Sequence, residues 1–259
     1  MTTLGTAELP ARLGVLASGS GSNLQALLDA CASGALPAQV AVVICNVAGA
    51  KCLERARDAG VPAVLLPHQG LKREEYDSQL VATLQAHGVE LVCLAGFMRI
   101  ITSELLRAFP DRVLNIHPAL LPSFPGMHGA RQALAAGVRV AGCTVHFVDE
   151  GTDTGPILVQ AAVPVLPDDT EESLQARIHA QEHKAYLRAL QLVLLGAIEL
   201  VEEGGKRRAR VTGFEGGGGG AGAEAIVSPQ EPFEQSPPEP PALGGAADAL
   251  DPQRGPAKW

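Results

Sequence analysis

Short apolar runs alternate with helix-patterned segments between residues 12 and 116, and this alternation constrains the fold more than any other feature of the chain. Apolar runs of about four to eight residues bounded by turn signals are typical of strands buried on both faces of a sheet. The predicted strands here are 12–17, 39–45, 61–66, 90–95 and 112–116, and the predicted helices are 24–31, 51–59 and 72–87. Because such alternation favours parallel strands with right-handed crossovers, we predict an α/β fold with a mostly parallel, twisted, Rossmann-like sheet and helices on both faces.

The chain after residue 137 departs from this pattern. Residues 140–148 and 156–165 both have the character of strands, and only the loop 149–155 separates them. A connection this short favours antiparallel pairing, so we expect an antiparallel strand pair toward the C-terminal end of the sheet. A short helix is predicted at 128–136. A long amphipathic helix is predicted from residue 170 to about residue 200.

The composition changes at residue 213. From there the sequence is rich in Gly and Pro and poor in large apolar residues. Such a segment buries too little apolar surface to offset the entropy lost on ordering. We therefore predict a folded domain at 11–212 and a disordered Gly/Pro-rich tail at 213–259.

Charge and composition exclude several classes of protein. The net charge is -8 and no dense basic block is present, which argues against nucleic acid as the main partner. The five cysteines lack zinc-ligand spacing, so we predict no metal. Neither a signal-peptide pattern nor an apolar run of membrane-spanning length occurs, so we expect a cytoplasmic protein with no membrane partner.

Three segments at the carboxyl ends of predicted strands, 18–23, 96–101 and 115–117, are expected to face one crevice. Ligands in such sheets bind beyond the carboxyl ends of the strands. The run Ser-Gly-Ser-Gly-Ser-Asn at 18–23 precedes the first helix, where free backbone N–H groups attract an anion such as a phosphate. The alternative is a plain strand-to-helix turn capped by Ser22 or Asn23.

The stretch 115–156 contains side chains suited to acyl or formyl transfer. The proline that follows His117 keeps that residue out of the helical region, so Asn115 and His117 end a strand on one face. An amide and an imidazolium hold a developing oxyanion, and a carboxylate such as Asp153 orients the imidazole or takes a proton. The alternative is a turn histidine beside a proline and a capping asparagine. We expect His146 to pack in the core rather than to take part in catalysis.

From residue 11 to about residue 200 the chain resembles the glycinamide ribonucleotide formyltransferase family. The resemblance is carried by LASGSGSNLQAL (16–27), LAGFMRII (94–101), LNIHPALLPSFPGMHGARQAL (114–134), GCTVHFVDEGTDTGPILVQ (142–160) and QEH (181–183). It implies a reaction in which the formyl group of 10-formyltetrahydrofolate, a co-substrate, passes to the amine of glycinamide ribonucleotide in purine biosynthesis. That chemistry requires no metal.

The resemblance also implies roles for individual residues. Those expected to bind the nucleotide substrate are Gly21, Ser22, Asn23 and Glu182. Those expected to bind the folate are Arg73, Met98, Arg99, Ile100, Ile101 and Asn115. The expected catalytic group is Asn115, His117 and Asp153. Thr152 departs from the family pattern, which has an apolar residue there, and the tail lies outside the pattern.

Other assignments remain open on the sequence. Methionyl-tRNA formyltransferase shares the Asn-x-His and Leu-Leu-Pro features, but it is expected to carry a basic domain where this chain has its acidic Gly/Pro-rich segment. Formyltetrahydrofolate hydrolase is expected to carry a regulatory domain before the first strand, where about ten residues stand here. A folate-binding module without turnover is disfavoured because all three catalytic positions are filled. Either a monomer or a homodimer is compatible with the sequence.

Overall fold

The computed structural model describes residues 10–212 and the backbone of Ala225–Val227. The strands are β1 (Ala11–Ala17), β2 (Ala38–Cys45), β3 (Ala63–Leu65), β4 (Leu91–Leu94), β5 (Val113–His117), β6 (Val140–Phe147), β7 (Ile157–Pro164), β8 (Ile198–Glu203), β9 (Lys206–Val211) and β10 (Ala225–Val227). The helices are α1 (Ser22–Ala32), α2 (Lys51–Asp58), α3 (Arg73–Ala86), α4 (Ser103–Ala108), α5 (Gly129–Ala135) and α6 (Glu171–Leu194).

Within the described residues, eight strands form one sheet in the order β10-β7-β6-β5-β4-β1-β2-β3. Strands β1 to β5 pair in parallel, and β10 runs parallel to β7. Strand β6 is antiparallel to both β5 and β7. The predicted α/β class and the predicted antiparallel pair are confirmed, and the pairing of β6 with β5 adds a second antiparallel contact.

Helices cover the sheet on both faces because alternate side chains of the central strands point to opposite sides. Val15 of β1 belongs to one apolar cluster, which includes residues of α1 and α6, whereas the adjacent Leu16 belongs to a second cluster with residues of α3 and α4. Both side chains are fully buried. The core is therefore two apolar layers separated by the sheet.

The same alternation places polar side chains on one face of β5 and β6. Leu114 and Ile116 of β5 belong to the first apolar cluster, as do alternate residues of β6. The intervening residues point to the opposite face, and they include Asn115, His117, Thr144 and His146. Two antiparallel neighbours thus present four polar side chains on one surface.

The predicted helix from residue 170 to about residue 200 is too long. Helix α6 ends at Leu194, and Gly196 follows with a φ of 66°. The residues after it form the hairpin of β8 and β9. Its turn is Gly204 and Gly205, with φ values of 59° and 71°, which suits a two-residue turn with left-handed backbone at both positions. Helix α4 was also not predicted.

The tail predicted to be disordered, residues 213–259, lies outside the described residues except at β10. There the structure has a short strand that pairs with β7. The division of the chain at residue 212 stays a prediction. In the part of the chain that the structure describes, no helix is long and apolar enough to cross a membrane.

We predict that Tyr186→Phe lowers the free energy of unfolding. Tyr186 lies on α6, is 1% exposed, and its hydroxyl contacts Leu94 O at 3.1 Å and Leu114 O at 3.2 Å. Loss of this buried donor should cost about 1 kcal/mol. Urea unfolding checks this, with a lower midpoint and an unchanged slope expected. An unchanged midpoint would show that the hydroxyl does not stabilise the ends of β4 and β5.

Candidate active site

The ends of three parallel strands reach the same level at the carboxyl edge of the sheet. One row of paired residues crosses them, namely Leu16, Leu94 and Asn115. The residues two positions further along are Ser18, Gly96 and His117. The loops that follow the three strands therefore begin next to one another. This edge is where ligands bind in open parallel sheets.

Ser18 joins the loops that follow β1, β2 and β4. Its backbone N–H donates to Gly96 O at 3.1 Å. Its hydroxyl accepts from the backbone N–H of Met98 at 2.9 Å and donates to Asn46 Oδ1 at 2.6 Å. These contacts bring the segments 18–23 and 96–101 together at this edge, and that they face one crevice stays a prediction.

His117 is a buried histidine with a partner at each ring nitrogen. Its Nε2 lies 2.8 Å from Phe124 O, and because a carbonyl only accepts, this nitrogen donates. Its Nδ1 lies 3.4 Å from Asp153 Oδ2. The side chain is only 5% exposed. The pair predicted from the sequence, His117 and Asp153, is thus in contact in the folded chain.

Asp153 is held in an unusual backbone conformation. Its φ is 56°, in the left-handed region that non-glycine residues rarely adopt. The backbone N–H of Gly126 donates to Asp153 Oδ2 at 2.8 Å, and Asp153 Oδ1 lies 3.7 Å from His146 Nε2. Left-handed backbone at such a residue persists where the surrounding structure requires it, and it concentrates at functional sites.

Asn115 is half-buried beside His146, a residue whose sequence pattern predicts a packing role only. The two residues are direct cross-strand partners, and Asn115 Nδ2 lies 3.2 Å from His146 Nε2. His146 is 2% exposed. Burial lowers the pKa of His146 below the usual value for a histidine. The expectation that His146 is buried was correct, but its polar contact with Asn115 was missed.

The loop between β5 and α5 is fixed to the sheet by Thr144. The Thr144 hydroxyl donates to Ala119 O at 2.7 Å and accepts from the backbone N–H of Leu121 at 3.0 Å. Gln160 Nε2 donates to Leu121 O at 2.8 Å and to Thr144 Oγ1 at 2.9 Å. These contacts position the loop whose carbonyl accepts from His117. No sequence pattern pointed to Thr144 or Gln160, because their importance depends on pairing between distant segments.

The turn that begins α1 requires glycine at position 21. Gly21 has a φ of 70°, and a Cβ there would lie 2.8 Å from Cys52 Cβ and 2.9 Å from Cys52 Cα. Helix α1 has no side-chain cap hydrogen bond, so the alternative of a simple Ser22 or Asn23 cap is not what the structure shows. The free N–H groups of the first turn suit an anion.

Asn23 and Glu182 form a buried polar pair between the first and last helices. Asn23 Nδ2 donates to Glu182 Oε2 at 2.8 Å. Asn23 is 7% exposed and Glu182 is 3% exposed, and His179 Nε2 approaches the same carboxylate oxygen at 3.9 Å. Asn23 Oδ1 is buried with no hydrogen-bond partner. Since buried polar atoms are normally paired, this oxygen is available to a ligand donor.

The residues assigned to folate binding differ in their environments. Met98 and Ile100 are 66% and 53% exposed, which is high for apolar side chains, whereas Ile101 is buried in the second cluster. The Arg99 guanidinium lies 4.5 Å from the centre of the Tyr76 ring, a cation–π contact. Arg73, the first residue of α3, is exposed.

The described part of the chain holds no group of three or more His, Cys, Asp or Glu arranged to bind a metal ion. The side chains of the site are an amide, a histidine and a carboxylate at β5 and its neighbours. At α1 and α6 the site has a turn with free backbone N–H groups and a buried carboxylate.

Comparison with known proteins identifies relatives for most of the chain. Residues 11–190 match the formyl transferase family. The trifunctional purine biosynthetic protein adenosine-3 of Drosophila melanogaster is 52% identical over 188 residues, which are 71% of this chain and 14% of that protein. The chain thus spans about one seventh of that relative's length. The phosphoribosylglycinamide formyltransferase of Bacillus subtilis is 41% identical over 71% of this chain and 94% of its own.

A solved structure gives the same result. Glycinamide ribonucleotide transformylase 1 from Symbiobacterium toebii superimposes with a TM-score of 0.75 at 55% sequence identity. The superposition covers 78% of this chain and 94% of that one. The chain belongs to the formyl transferase family and is a homologue of the phosphoribosylglycinamide formyltransferases.

Proposed function

We propose that the chain transfers the formyl group of 10-formyltetrahydrofolate to the amine of glycinamide ribonucleotide, which gives formylglycinamide ribonucleotide and tetrahydrofolate. The observation that carries the proposal is the contact of His117 with Asp153 beside Asn115, at the edge that also holds the anion-binding turn of α1. The names of the relatives from Bacillus subtilis and Symbiobacterium toebii support the choice of substrate. The reaction belongs to purine biosynthesis, and a cytoplasmic setting is part of the proposal.

The reaction begins with attack of the glycinamide amine on the formyl carbon. A C–N bond forms, and the formyl oxygen becomes an oxyanion that needs donors. Asn115 donates from its amide, and His117 donates from an imidazolium. His117 Nδ1 faces Asp153, so Nε2 is the nitrogen that exchanges Phe124 O for the substrate.

Collapse of the tetrahedral intermediate completes the transfer. Asp153 takes the proton released by the attacking amine, directly or through water. The bond between the formyl carbon and N10 of the folate breaks, and His117 protonates N10. His117 is then neutral, with its remaining proton on the Nδ1 that faces Asp153. Asp153 therefore loses its proton to water, and Nε2 of His117 takes one up from water, which restores the starting state.

The nucleotide substrate occupies the side of the crevice formed by α1 and α6. Its phosphate dianion accepts from the backbone N–H groups at Gly21, Ser22 and Asn23, where the helix dipole also favours negative charge. Glu182, which already accepts from the amide of Asn23, also accepts from a hydroxyl of the ribose.

The folate occupies the opposite side, along the segment after β4. Met98 and Ile100 supply exposed apolar surface for its rings, and Ile101 supports them from the core. Arg73 supplies a cation for the carboxylates of the folate tail. Arg99 stacks on Tyr76 and so shapes this wall of the site. A monomer or a homodimer satisfies this arrangement.

The proposed activity is tested by formyl transfer, followed through the absorbance change of the folate. We expect Asn115→Ala, His117→Ala and Asp153→Asn each to lower kcat by about 10²–10³, because each removes a group that acts in the transition state. His87→Ala, at the end of α3, should leave kcat unchanged because its ring hydrogen-bonds to Thr83 O of its own helix, away from the proposed site. Deformylation of the folate at the same rate without the nucleotide would establish a hydrolase instead. Folate binding without turnover would establish a binding module.

Glu182→Gln is expected to raise KM for glycinamide ribonucleotide by about 10-fold to 100-fold, as loss of one charge-assisted hydrogen bond implies. The KM for the folate should change by less than about threefold, because Glu182 lies on the nucleotide side. Glu172→Gln, the same change at an exposed position of α6, serves as the matched control. If Glu182→Gln raised both KM values equally, the proposal that the nucleotide and the folate occupy opposite sides of the crevice would be wrong.

A further inference from the structure

His146 and Asn115 form a contact that the proposed mechanism leaves unexplained. They are paired on adjacent antiparallel strands, and both point to the crevice face of the sheet. His146 is 2% exposed, so no bulk water competes for its ring nitrogens. A buried histidine that touches an oxyanion donor affects how that donor is oriented.

The contacts of the ring determine which nitrogen of His146 carries the proton. Its Nδ1 lies 2.8 Å from Phe147 O. A carbonyl oxygen only accepts, so Nδ1 must donate. Its Nε2 lies 3.2 Å from Asn115 Nδ2, an amide nitrogen that only donates. Two donors repel one another, so Nε2 is the bare, accepting nitrogen of a neutral imidazole.

Some influences on the His146 ring raise its pKa and others lower it. Burial, the largest influence, lowers the pKa of His146 and favours the neutral ring. Asp153 and Asp149 on the loop after β6 favour protonation, and His117 on β5 opposes it. The contact of Nδ1 with Phe147 O also raises the pKa, and Asp153 Oδ1 lies 3.7 Å from Nε2. The neutral ring is therefore favoured by burial and by the Asn115 amide at Nε2.

A neutral His146 also fixes the orientation of the Asn115 amide. An amide has two nearly isosteric orientations that exchange its oxygen and its NH₂ group. If Asn115 turned over, Oδ1 would face the bare Nε2, and two acceptors would oppose each other. The orientation with Nδ2 toward the ring uses one N–H on Nε2 and leaves the second N–H of the same nitrogen for the formyl oxygen.

We propose that His146 is a positioning residue that, as the neutral Nδ1–H tautomer, holds the Asn115 amide with its NH₂ group toward the reacting formyl oxygen. The kinetic part of this inference rests on the proposed function, whereas the tautomer is a property of the free protein. His146 itself touches no substrate and acts through Asn115.

The tautomer is measured first, by long-range ¹H–¹⁵N correlation spectra of the substrate-free chain labelled at histidine. We expect His146 to show a protonated Nδ1 and a bare Nε2 from pH 6 to pH 8. His87 provides the reference signal, since its Nδ1 also lies 2.8 Å from a carbonyl, Thr83 O. A proton on Nε2 of His146 at pH 7 would overturn the proposal, whatever reaction the chain catalyses.

A double-mutant cycle in kcat then separates positioning from general support of the fold. His146→Phe should lower kcat by about 10²-fold with little change in either KM, because the Asn115 amide no longer points its N–H at the oxyanion. His146→Gln, whose side-chain oxygen also accepts a hydrogen bond, should have a kcat at least about tenfold higher than that of His146→Phe. In the Asn115→Ala background, His146→Phe should lower kcat by less than about threefold. Equal losses in both backgrounds would overturn the proposal.

Failure of the proposed function and failure of the proposed role of His146 give different results. If the wild-type chain transfers no formyl group, the proposed function is wrong, and the spectra of His146 still decide whether it orients Asn115. If His146→Phe does not fold, His146→Gln and the spectra carry the test.

Discussion

The arrangement of the site depends on the register of the parallel strands. Pairing of Leu16 with Leu94 and of Leu94 with Asn115 brings the ends of β1, β4 and β5 to one level. A slip of one residue in β5 would turn Asn115 and His117 toward the apolar layer under α6 and bring Leu114 and Ile116 to the crevice. The apolar side chains on the other face oppose such a slip, because their burial is the main favourable term in folding.

The antiparallel strand β6 makes the polar part of the site possible. Because β6 runs against β5, a single strand delivers His146 to Asn115 and Thr144 to the loop after His117. Each of these buried groups has a partner, which matters because an unpaired buried polar atom costs about 1–3 kcal/mol. The parallel half of the sheet thus supplies the edge, and the antiparallel half supplies the groups that hold its polar residues in place.

The sequence predicted the class of fold and the position of Asn115 and His117 at one strand end for a physical reason: both depend on local patterns. Alternating apolar runs gave the parallel strands, and the strand-end position of Asn115 and His117 followed from the neighbouring proline. The hairpin of β8 and β9 was assigned to the preceding helix, since its first strand, Ile198–Glu203, continues an apolar and acidic pattern compatible with either element. Gly196 was the signal for the helix end.

The polar contacts that position the site were beyond reach of the sequence pattern. Whether His146 only packs or also accepts a hydrogen bond depends on which residue of β5 lies opposite, and that register is set by the whole sheet. The distribution of exposure in the segment Met98 to Ile101 likewise reflects packing against α3, which no spacing rule supplies.

The bond between Asn23 and Glu182 has a consequence for how the chain is made. The two residues are 159 positions apart, and one lies near the start of the fold and the other in its last long helix. During synthesis the turn of α1 leaves the ribosome before α6, so Asn23 emerges before its partner carboxylate. A nascent chain that lacks α6 exposes one apolar face of its sheet and leaves the Asn23 amide without Glu182. At the proposed nucleotide site, binding therefore requires a fold that includes α6.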